Sequence, residues 1–84
     1  MRKMVAFQVE KLIVSDVIRY RNQSVVTISK PHKPIWTGDY IQLATGQRLK
    51  VAGVPLYDNP KSVPVGKIDI VLDAKININD VLYY

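Results

Sequence analysis

Apolar and polar residues alternate with a period of two through most of this chain. The clearest case is Ile68, Ile70 and Leu72, which alternate with the charged residues Lys67, Asp69 and Asp73, with Val71 at the one remaining position. The β-branched segment 25–28 follows the same pattern, and such a segment makes a poor helix. No window has the 3.6-residue apolar stripe of an amphipathic helix. The pattern therefore predicts β-strands almost throughout.

The alternating segments are short, and turn signals separate them at intervals of roughly 8–12 residues, as in β-barrels and β-sandwiches. We expect six or seven strands, at 5–14, 17–20, 25–29, 40–43, 49–54, 67–73 and 76–82. A closed barrel is favoured because it leaves no exposed sheet edges. With 84 residues, the chain has room for one domain, residues 1–84. The expected fold is thus a small, closed, antiparallel all-β barrel.

The expected connections are marked by turn-forming residues. Segment 30–34 holds two prolines and is expected to be an exposed loop. Turns are expected at Asn22-Gln23 and at Thr37-Gly38-Asp39, and Gly53 is expected to allow a β-bulge or a close approach of another backbone. Segment 55–64 is the longest irregular stretch, and Ser15-Asp16 is expected to interrupt the first extended region.

Reactive side chains are scarce. The chain has no cysteine and a single histidine, His32, which lies between prolines and is expected to be solvated. Asp69 and Asp73 are expected on the solvent face of one strand. No glycine-rich phosphate-binding motif is present. We therefore expect a protein that is not an enzyme, without a metal site or cofactor.

The charge of the chain is uneven. The formal net charge is +5, and residues 1–50 carry nine basic residues against three acids, a net of +6. Clustered cations favour an anionic partner, RNA above all, because phosphate contacts release counterions. The alternative is that the excess charge only serves solubility, since no basic run exceeds two residues.

The candidate nucleic-acid-binding residues are cations and one aromatic residue around the proline-rich loop and the strands beside it. They are Arg19, Arg21, Lys30, Lys33, Trp36, Arg48 and Lys50, with His32 among them. The arginines at 19 and 21 are expected to share one strand face. Trp36 is interpreted either as a ring that stacks on a base or as a cap on one end of the core.

Three segments carry a resemblance to a known family. They are Ile35–Ile41, of the form apolar-x-x-Gly-Asp-x-apolar, Val65–Ile70, in which a glycine enters a strand, and Asn79–Leu82, which ends in Asp-Val-Leu. With the preceding Val/Thr strand, this order resembles the second domain of the translational GTPases, the elongation-factor-Tu-like β-barrel, over about Val9 to Tyr84. Lys67 stands where the family has aspartate, Asn79 stands where it has glycine, and the GTPase domain has no counterpart here.

The resemblance implies a free-standing barrel that binds rather than catalyses, with RNA or the ribosome as its partner. The alternative is a protein-interaction or assembly barrel, such as a regulatory subunit or a viral head-completion or connector-type protein. In that case segment 81–84 would pair with a strand edge of a partner or of a second copy. The start of the chain lacks a signal-peptide pattern and no apolar stretch has membrane-spanning length, so a cytoplasmic, membrane-free protein is expected.

Overall fold

The computed structural model describes residues 9–55 and 65–84, and these residues form six strands and no helix. The strands are β1 (Lys11–Tyr20), β2 (Gln23–Ser29), β3 (Tyr40–Leu43), β4 (Arg48–Gly53), β5 (Lys67–Leu72) and β6 (Val81–Tyr83). They close into a barrel in the order β1-β2-β5-β4-β3-β6, with every neighbouring pair antiparallel. The predicted closed antiparallel barrel is confirmed, with six strands. Residues 5–8 of the strand predicted at 5–14, and most of the irregular segment 55–64, lie outside the described residues.

Two bulged strands, β1 and β4, turn the corners of the barrel. β1 pairs with β6 through residues 11–13 and with β2 through residues 14–20, and its register shifts between Val14 and Asp16. β4 pairs first with β3 and then with β5, and its register shifts between Val51 and Gly53. A bulge bends a strand and increases its twist, so each of these strands serves two sheets. We name the sheet around β6 and β3 sheet A, and the sheet around β2 and β5 sheet B.

The bulges explain one wrong prediction and confirm another. Ser15 and Asp16 do not interrupt the strand. Ser15 is instead the extra residue of the bulge, and its hydroxyl donates to the carbonyl of Thr27 at 3.2 Å. The bulge predicted at Gly53 is present. The first turn lies at Arg21-Asn22 rather than Asn22-Gln23, because Gln23 already pairs with Tyr20.

The core is made of the inward-facing residues of all six strands and one residue from each of two loops. It contains Leu12, Val14, Val26, Ile28, Ile35, Ile41, Val51, Ile70, Leu72, Ile76 and Leu82. Ile35 lies in the β2–β3 loop and Ile76 in the β5–β6 loop, so each loop closes one end of the barrel with an isoleucine. The strand predicted over 76–82 is therefore shorter, because residues 76–80 cross the barrel end before β6 begins.

A polar side chain holds the β5–β6 loop over the barrel end. Ser24 is fully buried at the start of β2, and its hydroxyl donates to the carbonyl of Ala74 at 2.6 Å. The same oxygen accepts the backbone N–H of Ile76 at 3.3 Å. These bonds satisfy a buried hydroxyl and fix the point at which Ile76 enters the core.

The turn predicted at 37–39 is confirmed, and aspartate closes it. Asp39 accepts the backbone N–H of Trp36 at 2.8 Å through its carboxylate and donates its own N–H to the Trp36 carbonyl at 3.0 Å. Gly38 has φ +95°, a conformation that favours glycine. The turn then binds β4 twice, from Gly38 N–H to Val51 O at 2.9 Å and from Val51 N–H to Asp39 O at 2.7 Å.

The turn before β6 has the same bonds. Asp80 accepts the N–H of Asn77 at 2.8 Å and donates its own N–H to the Asn77 carbonyl at 3.1 Å. Asn79 has φ +74°, as expected for asparagine in place of glycine. Asn79 donates to Val14 O at 2.8 Å, and Val14 donates to Asp80 O at 2.9 Å.

The two turns reveal an internal repeat. In each half of the chain a bulged strand, a second strand, a loop with a buried isoleucine, an aspartate turn and a short strand follow one another. Exchanging β1 with β4, β2 with β5 and β3 with β6 leaves the neighbours of every strand in the barrel unchanged. The barrel is thus built from two similar halves, β1–β3 and β4–β6, related by an approximate twofold axis.

The repeat predicts how Gly38 tolerates substitution. Because the equivalent position is Asn79, we expect Gly38→Asn to retain more stability than Gly38→Ala. Alanine in the left-handed conformation costs about 1–2 kcal/mol, and no atom within 4 Å of the added Cβ contributes a clash. Urea unfolding of the two variants measures the difference. Equal losses in both would contradict the equivalence of the turns.

The short strand β6 is paired on both sides. It pairs with β1 through all three of its residues and with β3 through Leu82 and Tyr83. Tyr84 continues the pairing with backbone bonds to Glu10 at 2.8 and 3.0 Å. Pairing of this segment with a partner stays a prediction, and it would require the barrel to open.

Among the described residues, no helix has the length and apolar character needed to cross a membrane.

Candidate nucleic-acid interface

The outer face of sheet A carries cations and tyrosines together. Because side chains alternate along each strand, every second residue points away from the core. These residues are Lys11, Ile13, Tyr40, Gln42, Arg48, Lys50, Val81 and Tyr83, and we name them the sheet A surface. Three cations and two tyrosines thus share one face of the barrel.

Four of these residues form a row across four adjacent strands. Lys11 pairs with Tyr83, Tyr83 with Gln42, and Gln42 with Arg48. At about 4.8 Å per strand, the cations at its ends lie about 14 Å apart along the sheet. The Arg48 guanidinium also lies over the Tyr40 ring, 4.9 Å from its centroid. This contact holds a cation beside an aromatic face.

The sheet A surface holds no carboxylate among the residues that the structure describes. The described acids are elsewhere: Glu10 pairs with His32, Asp39 and Asp80 close the two turns, Asp16 and Asp69 belong to sheet B, and Asp73 follows β5. The surface itself is therefore positively charged, which favours an anionic ligand.

A cavity adjoins the sheet A surface where β1 begins. Val9, Glu10, His32, Lys33 and Tyr84 line it. The Lys33 ammonium lies 4.4 Å from the centroid of the Tyr84 ring. His32 Nδ1 lies 3.0 Å from Glu10 Oε2, and the backbone N–H of His32 donates to Glu10 Oε1 at 3.0 Å. This pair could not be predicted from the sequence, because 22 residues separate its members. The His32 side chain is 98% exposed, so the predicted solvated histidine is confirmed.

Tyr84 connects this cavity to the aspartate turn. Its hydroxyl lies 2.5 Å from the Pro34 carbonyl and 2.7 Å from Asp39 Oδ2. Burial, reinforced by the hydrogen bond to Asp39, raises the pKa of Tyr84 to about 12. The hydrogen bonds from Trp36 N–H and from Tyr84 lower the pKa of Asp39. The tyrosine therefore stays protonated and the aspartate ionised across the physiological range.

The raised pKa predicts a pH-dependent stability difference. Tyr84→Phe removes the hydroxyl, so we expect a loss of about 1–2 kcal/mol at neutral pH. The unfolded chain releases this proton at an ordinary pKa of 10.0, whereas the folded protein holds it to about 12. The stabilisation is therefore complete below pH 10 and declines between pH 10 and 12. Urea unfolding of both proteins across this range should show the gap closing. A gap that stays constant would refute the role of the hydroxyl proton, and Tyr83→Phe is the matched control.

The structure brings some of the predicted residues together. Arg48 and Lys50 lie on the sheet A surface. Lys33 lies at the border of this surface, over the Tyr84 ring. Tyr84 also lines a groove together with Tyr40, Gln42 and Arg48. The Trp36 side chain is 67% exposed, so its interpretation as a cap on the core is wrong. Its neighbour Ile35 closes that end instead.

The other predicted residues lie apart from this surface. Arg19 is eight residues along β1 from Lys11, about 25 Å at the usual rise per residue. Its guanidinium donates to Ile76 O at 2.9 Å and to Asn77 Oδ1 at 2.7 Å, which ties β1 to the β5–β6 loop. Arg21 is in the left-handed conformation (φ +58°) in the β1–β2 turn, so it does not share a strand face with Arg19. Lys30 follows β2 and donates its backbone N–H to Gly66 O.

Four residues of the surface were missed from the sequence: Lys11, Tyr40, Gln42 and Tyr83. The alternation of residues already placed Tyr40 and Gln42 on one face of a strand. However, the alternation of residues does not show that β6 lies between β3 and β1 in the barrel. Strand order, rather than residue type, was the missing information.

Comparison with family models, curated proteins and solved structures gives no match to this chain. The predicted kinship with the second domain of translational GTPases therefore stays a prediction. The described residues also contain no group of three or more histidine and carboxylate side chains arranged to hold a metal ion.

Proposed function

We propose that this protein is a non-catalytic RNA-binding module, and that the sheet A surface is its binding face. One observation carries the proposal. Among the described residues, the row Lys11–Tyr83–Gln42–Arg48 has a cation at each end and contains no acidic side chain. Phosphates would contact the cations, and unpaired bases would stack on the tyrosine rings. A ribosomal or other RNA partner agrees with the resemblance to translation factors.

Burial and exposure of the aromatic residues support this function. The Tyr40 side chain is 52% exposed, although it is held beside Arg48. A ring that is fixed on a strand and open to solvent loses little conformational entropy when a base stacks on it. Trp36 lies at the start of the turn that precedes β3, and it is also exposed. Lys33 adds a cation at the border.

A salt-dependent titration tests the proposal. Fluorescence anisotropy of a labelled single-stranded RNA would be measured at two salt concentrations. The expected result is binding that weakens steeply with salt, because each phosphate contact releases counterions. A neutral β-barrel protein of similar size is the control. Binding no tighter than that of the control would refute the function.

A second candidate function, assembly of copies of this chain, is favoured by the outer face of sheet B. Ile18, Val25 and Val71 form an apolar row across β1, β2 and β5, and Ile18 is 64% exposed. If this row is a contact between copies, sedimentation should show association that Ile18→Lys abolishes. A wild-type monomer at all concentrations would exclude this candidate.

A further inference from the structure

The approximate twofold axis passes through the sheet A surface. Val14 and Val51 are the two strand residues whose backbones hydrogen-bond to the aspartate turns. Lys11 lies three residues before Val14, and Arg48 lies three residues before Val51. Tyr83 and Gln42 each lie three residues after a turn aspartate, and they pair directly with each other. The row Lys11–Tyr83–Gln42–Arg48 is therefore symmetric in its backbone, with a cation at each end.

The side chains at the centre of this row break the symmetry. Tyr83, which is half-buried, offers part of an aromatic ring, whereas the exposed Gln42, at the equivalent position, offers an amide. The backbone places the two side chains in equivalent relation to a cation, Lys11 beside Tyr83 and Arg48 beside Gln42. Within the row, only Tyr83 can stack a base, and Gln42 can hydrogen-bond to a base edge. The exposed ring of Tyr40 lies outside the row, two residues before Gln42 on β3.

We infer that the surface binds a single strand of RNA that crosses the barrel strands along this row. The row then acts as two equivalent half-sites, Lys11 with Tyr83 and Arg48 with Gln42, each of which holds one phosphate and one base. This inference rests on the proposed function and adds the orientation and class of the ligand. In this arrangement the cations at the two ends hold phosphates, Tyr83 stacks one base and Gln42 contacts the next. A duplex keeps its bases stacked on one another, so it cannot use the ring.

Exchange of the two central residues tests the inference. Tyr83→Gln should weaken binding of a labelled oligouridylate by about fivefold or more, the loss of one stacked base. Gln42→Tyr should tighten it by about the same factor, because it adds a second ring to the row. The double variant Tyr83→Gln/Gln42→Tyr should return to within about threefold of the wild type, since the ring has only moved to the equivalent position. Circular dichroism and urea unfolding identify any variant that does not fold.

The outcomes separate the two proposals. If the wild type does not bind RNA above the neutral control, the proposed function fails, and this inference fails with it. If the wild type binds but the double variant stays as weak as Tyr83→Gln, the half-sites are not equivalent and only this inference is overturned. Binding of a duplex of the same length as tightly as the single strand would also overturn it. A weak Tyr83→Gln variant, a tight Gln42→Tyr variant and a restored double variant would support it.

Discussion

Ile76→Ala is expected to destabilise the barrel by about 3–4 kcal/mol, most of the stability that a domain of this size has. Ile76 is 1% exposed, although it lies in a loop, and its side chain closes one end of the core. Alanine would leave a cavity between the ends of six short strands, where little can move to fill it. Urea unfolding followed by far-ultraviolet circular dichroism measures the loss, because Trp36, at 67% exposure, reports poorly on the core.

Ile78→Ala is the matched control. Ile78 lies two residues further along the same loop and is 53% exposed, so its truncation should change stability by no more than about 0.5 kcal/mol. If Ile76→Ala does not fold, Ile76→Val still gives a measurable loss of about 0.5–1.5 kcal/mol. Similar losses for Ile76→Ala and Ile78→Ala would show that the loop does not close the core as described.

These two isoleucines also mark the limit of sequence-based prediction of the fold. Their alternation predicted a strand with both residues on one face, whereas one is buried and the other exposed. Alternation located β2, β3, β4 and β5 to within two residues at each end, because burial on a pleated sheet depends on local sequence spacing. It failed where the chain crosses the barrel end, because side chains there are buried by distant strands. The bulge at Ser15 was misread for a related reason, since a polar pair looks the same in a bulge and in a turn.

The candidate site was predicted less completely than the fold. Arg48 and Lys50 were identified because they are basic, but so was Arg19, whose guanidinium is engaged by the Ile76 carbonyl and by Asn77. Composition identifies cations and cannot distinguish one that braces a loop from one that faces solvent on an open surface. The tyrosines on β3 and β6 become neighbours only when the barrel closes. The repeated aspartate turns were visible as two similar motifs, yet the equivalence of Lys11 and Arg48 required the hydrogen bonds to Val14 and Val51.

Neutralising the three cations of the sheet A surface is expected to have the largest effect on RNA binding. The variant Lys11→Gln/Arg48→Gln/Lys50→Gln should lose about a hundredfold in affinity at low salt, at about 1 kcal/mol for each phosphate contact. The slope of log affinity against log salt should also become shallower by about 2, since each contact to a single strand contributes about 0.7. Anisotropy titrations over a range of salt concentrations measure both quantities. The glutamines keep most of the length of the side chains they replace, so the barrel should remain folded.

The matched control removes the same charge from other parts of the barrel. Arg21 lies in the β1–β2 turn, Lys67 at the start of β5 and Lys75 in the β5–β6 loop, so Arg21→Gln/Lys67→Gln/Lys75→Gln leaves the sheet A surface intact. Both variants have the same net charge, and long-range attraction alone would weaken them equally. We expect the control to lose less than about fivefold, because only the general field of the protein changes. Equal losses in the two variants would show that RNA responds to total charge and not to this surface, and the row from Lys11 to Arg48 would then have no special role.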